Sequence, residues 1–155
     1  MEQKQYSAYN TASQMVRKTK QIVMLYEGAI RYIQQAKAAI EKNDIETRFN
    51  SLTKACDIII GLQLSLDFDK GGEIAKLLYD YYSGLDMRIM SIHQSNNVED
   101  CDLAIKHLKM MRDAWEEIDQ KYNSSKASEQ KDEDVYDPNL SDTISKATKN
   151  VHLTA

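Results

Sequence analysis

Apolar residues recur every three or four positions over four long stretches of the chain, and each stretch reads as an amphipathic helix. In the first, roughly Lys18 to Lys42, Ile22, Leu25/Tyr26, Ala29, Ile33, Ala36 and Ile40 form one stripe. The second, about Ile45 to Leu66, carries Phe49, Leu52, Cys56, Ile59, Leu62/Gln63 and Leu66. The third, about Gly72 to Gln94, carries Ile74, Leu78, Tyr81, Leu85, Ile89 and Ile92. The fourth has the most regular, heptad-like seam: Val98, Cys101, Ala104/Ile105, Leu108, Met111, Trp115, Ile118 and Tyr122. No stretch has the alternation of a strand. Four helices of about twenty to twenty-five residues, each roughly 30–37 Å long and joined by short turns, predict an all-α fold. The architecture expected is an antiparallel up-down-up-down four-helix bundle.

The turns carry their own signals. Asn43 with Glu46 three residues on resembles a capping box, and Asn97 can cap the fourth helix after the Asn96-Asn97 turn. Between the second and third helices the stretch Ser65 to Ala75 holds Asp67, Asp69 and the only adjacent glycines, Gly71-Gly72. Asp supplies a cap for free N–H groups and Gly reaches φ > 0 without steric cost, so this stretch reverses the chain.

The ends behave differently. Residues 1–16 are polar apart from a few apolar positions and predict a flexible arm beside a bundle domain at 17–122; its Tyr6 and Tyr9 either dock on the bundle or belong to a frayed end. Residues 123–155 form a linker and tail, beginning with a stretch too polar to fold alone. Within the tail, Asp137-Pro138 suits a helix start, and Leu140, Ile144, Ala147 and Val151 follow at spacings of four, three and four. The favoured reading is a disordered tail with accidental spacing. The other is a short helix over 138–151, marginal alone in water, that lies on the bundle as a tethered stand-in for a partner helix.

Composition narrows the function more than the fold. The 155 residues suit one domain, and a net charge of −4 leaves no footprint for nucleic acid. No apolar run of about eighteen residues is present, so no membrane insertion is expected. The polar start Met1-Glu2-Gln3-Lys4-Gln5 lacks the apolar core of a secretory signal, which places the protein in the cytoplasm. Cys56 and Cys101 fall on apolar helical faces and read as buried, reduced thiols.

Catalytic chemistry is hard to find. His93, His107 and His152 lack the Glu three residues earlier that a metal-binding bundle uses, and His93 and His107 read as surface or boundary residues. Gly71-Gly72 follows no strand and belongs to no phosphate loop. Glu27 reads as a rim residue, and no nucleophile has a plausible base. The sequence predicts no cofactor, no metal and no enzyme; a metal-dependent bundle enzyme would need metal bound after purification.

One excess is left over. Val23, Met24, Ile30 and Tyr32 in the first helix, Ile58, Ile60 and Leu64 in the second, and Leu77, Tyr79, Tyr82, Met87 and Met90 in the third lie off the stripes. A bundle hides one stripe per helix, so such a surplus, rich in Met and Tyr, suits a groove for another protein's amphipathic helix. The alternative is scattered, partly shielded residues of an ordinary surface.

The stretch Val23-Met24-Leu25-Tyr26-Glu27-Gly28-Ala29-Ile30-Arg31-Tyr32-Ile33 resembles the first signature of the flagellin-specific export chaperones, the FliS family. Ser65-Leu66-Asp67 through Gly71-Gly72-Glu73-Ile74-Ala75, with Leu78-Tyr79 and Tyr81-Tyr82, resembles the second. Arg112-Asp113-Ala114-Trp115 resembles the third, and Tyr6-Ser7-Ala8-Tyr9 the N-terminal tyrosine pair. The likeness spans about residues 6–120. It implies a cytoplasmic bundle that holds the C-terminal segment of flagellin, prevents premature polymerisation and presents it to the flagellar type III export apparatus. Candidate client contacts are Tyr6, Tyr9, Leu25, Tyr26, Ile30, Ile58, Leu62, Leu66, Ile74 and Leu77. The competing reading is a helical-bundle adaptor or regulator that binds another amphipathic helix. One departure stands out: Val16-Arg17-Lys18-Thr19-Lys20 replaces the family's usual Thr-Ala-Ser/Thr-Pro entry, setting basic residues where a helix starting there has its positive dipole end.

Overall fold

The computed structural model describes the backbone of residues 2–128 and 138–153, and side chains over 18–121, 123–125 and 142–149. It contains α1 (Glu2–Glu41), α2 (Ile45–Leu64), α3 (Phe68–Ser95), α4 (Val98–Ser128) and α5 (Pro138–Leu153). The described residues include helices and no strand. α1 packs most extensively, with α2 on one side and α4 on the other. α2 continues to α3, and a thinner α3–α4 contact closes the ring. This is the expected four-helix bundle, with α5 added against α3 and α4.

The stripes become the core. Tyr26, Ile33, Leu52, Ile59, Ile89, Ile92, Leu108 and Met111 are fully buried. Leu25 and Phe49 are exposed exceptions, Phe49 with its ring 5.4 Å from that of His93. Polar ties inside are few. The Tyr81 hydroxyl donates to the His107 carbonyl at 3.2 Å, joining α3 to α4. On the surface, Lys37 of α1 pairs with Asp102 of α4 at 2.7 Å.

The caps explain where the helices begin. α2 is capped by Asp44, one residue beyond the expected Asn43: its carboxylate accepts from the Thr47 N–H at 3.0 Å and the Thr47 hydroxyl at 2.6 Å. Asn43 instead takes the turn itself, at φ +55. Asp67 accepts from the N–H groups of Asp69 and Lys70, both at 3.0 Å, so α3 starts at Phe68 rather than at Gly72. Gly72, at φ +49 and ψ −125, is a kink within α3 that only a residue without Cβ adopts readily. Asn96 is left-handed at the end of α3, and the Asn97 side chain caps α4 by accepting from the Glu99 N–H at 2.9 Å.

Both ends depart from the sequence reading. Helix α1 starts at Glu2 rather than Lys18, so Val16 to Lys20 lie inside a continuous helix and face no terminal dipole. The tail is helical from Pro138 and rests on the bundle, where Ile144, Ala147 and Thr148 are buried. Its seat supplies the partner that a short helix lacks in water.

Candidate functional site

Two apolar openings flank α2. The first lies between α1 and α2, a groove of about 450 Å³ lined by Gln21, Met24, Leu25, Gly28, Arg31, Tyr32 and Ile58. Gly28 shapes it. A Cβ there would stand 3.3 Å from Ile58 Cδ1, so the missing side chain lets Ile58 lean against α1. Further along α2, Gly61 has nothing within 4 Å of where its Cβ would be, which leaves that side open. The rim is polar or cationic: Gln21 and Arg31 belong to the lining, and Lys54 Nζ sits 5.4 Å above the Tyr32 ring. An apolar floor with a polar rim is the form that receives an amphipathic helix.

The second opening is a strip along α2 and α3. Phe49, Ile60 and Leu64 fall on one flank of α2 by helical spacing, and Leu64 is 81% exposed. Facing them, Tyr79 and Met90 share a flank of α3, with Met87 beside them, and all three are exposed. That these flanks meet is fixed by Gln63, whose amide donates to the Ser83 hydroxyl at 2.7 Å and the Tyr79 carbonyl at 3.3 Å. Phe68, at the start of α3, lies 5.9 Å ring to ring from Tyr79 and extends the strip over the turn.

The sequence candidates divide by orientation. Leu25, 41% exposed, and half-buried Ile58 line the α1–α2 groove together. Tyr26, Ile30 and Leu62 face inward, with Leu62 only 3% exposed, and present no surface to a partner in this conformation. Leu66 and Ile74 are half-buried against the core, near the α2–α3 turn. Leu77 is exposed, but lies two residues, about 200°, around α3 from Tyr79 and faces away from α2. The side chains of Tyr6 and Tyr9 lie outside the described residues. Met24, Gly28, Tyr32, Ile60, Leu64, Tyr79, Met87 and Met90 were not among the candidates. All but Gly28 carried the off-stripe signal that would have found them.

The titratable groups point away from catalysis. Burial first, then the Asp86 carboxylate, pushes the Cys56 thiol up to about 12, and burial followed by Asp102 and Asp100 takes Cys101 to about 11. Such thiols stay protonated and unreactive. His107 is buried, not a surface or boundary residue; burial first, then Arg88 and Lys106, holds its pKa below the usual 6.5. Among the described residues no group of three or more His, Cys, Asp or Glu side chains could hold a metal ion. No described helix is long and apolar enough to cross a membrane.

A family model described as flagellar protein FliS matches residues 1–122. The chain belongs to the FliS family. It is 34% identical over 110 residues to the flagellar secretion chaperone FliS of Vibrio cholerae, covering 71% of this chain and 81% of that protein. To the flagellar secretion chaperone FliS of Campylobacter jejuni it is 33% identical over 115 residues, 73% of this chain and 89% of that one. The Salmonella typhimurium FliS chaperone is 32% identical over 101 residues, covering 64% and 75%. FliS proteins are secretion chaperones of the flagellum, not enzymes, in keeping with a site made of apolar grooves. The FliS match stops before α5.

Proposed function

We propose that this FliS protein is a cytoplasmic export chaperone that binds the C-terminal segment of flagellin, keeps it from polymerising early and delivers it to the flagellar type III export apparatus. The observation that carries this reading is the apolar groove between α1 and α2, with Leu25 and Ile58 in its lining. Flagellin's segment enters it as an amphipathic helix, its apolar face on Met24, Leu25 and Ile58 and its polar edge toward Gln21 and Arg31. Each client side chain well buried there contributes about 1.5–3 kcal/mol. Ordering a disordered segment costs about 2–5 kcal/mol or more. Several anchors are therefore required, and the α2–α3 strip offers the further length of apolar surface that one groove lacks.

Coexpression with flagellin tests the reading. A one-to-one complex that survives gel filtration and disappears when flagellin's C-terminal segment is deleted is the expected result. Failure to copurify even at low salt, or a complex indifferent to that deletion, would sink it.

A further inference from the structure

Helix α5 begins at Pro138, beyond the matched residues 1–122. It packs on α3 and α4 and, among the described residues, has no contact with α1 or α2, so it sits across the bundle from the α1–α2 groove. Its seat is the thinnest side of the ring, where α3 and α4 share far less contact than α1 shares with either neighbour.

Three residues of α5 are seen to enter the seam within the described side chains 142–149. Ile144 is 1% exposed, and Ala147 and Thr148, three and four positions on, are also buried. The Thr148 hydroxyl turns back onto the carbonyls of Ile144 and Ser145, both at 3.0 Å, so it can enter the seam without a polar partner on α3 or α4. One β-branched side chain followed by two small residues lets the helix backbone come close to the seam. Beside this contact the fit is loose. An opening of about 500 Å³ separates α4 from α5, and its walls include Glu117 and Lys121 as well as Met110 and Ala114. A sixteen-residue helix is close to the length at which isolated helices are marginal in water, so α5 depends on its seat for order. The nine residues between α4 and α5 hold it near that seat at an effective concentration on the order of millimolar.

We propose that α5 is an exchangeable cover. The α3–α4 seam is a second receptor for an amphipathic helix, filled in cis by α5 and open in trans to a partner helix of the same chemistry. That partner carries a β-branched residue with small residues three and four positions later, on one face of an amphipathic helix. The site is separate from the α1–α2 groove, and its existence does not depend on flagellin being the client.

Two measurements on the full chain decide it. In amide hydrogen exchange, α5 should exchange at least tenfold faster than residues 18–41 of α1 and 98–121 of α4. Equal protection would make α5 a fixed fifth helix and overturn the proposal. In the second, a fluorescent peptide of residues 138–153 is titrated into the wild-type chain and into Ile144→Asp, whose own α5 is ejected. The variant should bind the peptide at least tenfold more tightly than wild type, and a peptide carrying the same substitution should bind neither. No binding to the variant, equal binding to both chains, or loss of bulk helicity in the variant would each overturn it.

Discussion

The hydroxyl of Tyr26 on α1 donates to that of Tyr82 on α3 at 2.9 Å, across the diagonal of the bundle. Both rings are buried, and their centroids lie 6.4 Å apart. The Trp115 indole N–H approaches the Tyr26 hydroxyl and favours its ionised form, but closes no hydrogen bond of normal geometry. The two phenols therefore depend on each other. Tyr26→Phe should leave the Tyr82 hydroxyl buried without its donor and destabilise by about 1–3 kcal/mol in urea melts. Adding Tyr82→Phe should cost less than the two single changes summed, because the second removes the stranded group.

The buried phenols and thiols make the fold sensitive to alkali. Burial is the main cause that lifts Tyr26 and Tyr81 well above 10.0 and Tyr82 to about 12. Cys56 and Cys101 rise from 9.0 to about 12 and about 11. Each of these groups keeps its proton longer when folded, so the unfolded chain loses protons first and gains in stability as pH rises. Their contribution is whole below about pH 9 and is lost through about pH 11 to 12. The urea midpoint should fall steadily over that range. Phenolate absorbance should show a late step, from the buried three, that coincides with opening of the bundle; complete ionisation while the helices stay folded would contradict the burial.

Orientation on α2 separates binding from folding. Ile58→Asp and Leu25→Asp change groove residues, and each should weaken binding of a flagellin C-terminal peptide more than tenfold, about 1.4 kcal/mol, with helicity retained. Leu62→Asp puts an unpaired charge into the core and should destabilise by more than about 4 kcal/mol. Calorimetry and circular dichroism on the three variants check this; a folded Leu62→Asp chain would reassign that face of α2.

Two glycines should respond in opposite directions. Gly61 is helical with open space around it, so Gly61→Ala should stabilise by about 1 kcal/mol through helix propensity. Gly72 also has open space, but its φ of +49 is strained for any residue with a Cβ. Gly72→Ala should destabilise by about 1–3 kcal/mol. Thermal melts of the pair suffice, and equal shifts would mean that the kink at Gly72 relaxes.

The bundle was legible because the stripes are long and periodic. Tyr26, Ile33, Ile59, Ile89 and Leu108 sit at positions that helical spacing alone marks as inward. Which of the remaining apolar residues face outward was harder to read. Ile30 lies off the stripe yet is buried, and Leu25 lies on it yet is exposed, so spacing alone puts each on the wrong side. The groove also needs an absence, the side chain that Gly28 lacks, and a hydrophobic pattern does not register absences. The cap of α2 falls one residue later, at Asp44, because Asn43 and Asp44 are both good cap formers, and the left-handed turn at Asn43 decides between them. The helical tail is hard to credit from sequence because its stability comes from a seam that is visible only once α3 and α4 are in place.

The extensive contact of α1 with α4, the helix made last in the bundle, also bears on the order in which surfaces are covered. In the Lys37–Asp102 ion pair the partners are 65 residues apart. At roughly 5–20 residues per second of synthesis, on the order of 3–13 s pass between the appearance of one partner and the other. During that interval α2 can fold back on α1 across a three-residue turn, but the side of α1 that belongs to α4 has nothing to lie on. Until α4 is made, any α1–α2 hairpin that forms would leave that side of α1 uncovered. Its own synthesis is thus a stage at which the chaperone itself is open to wrong contacts.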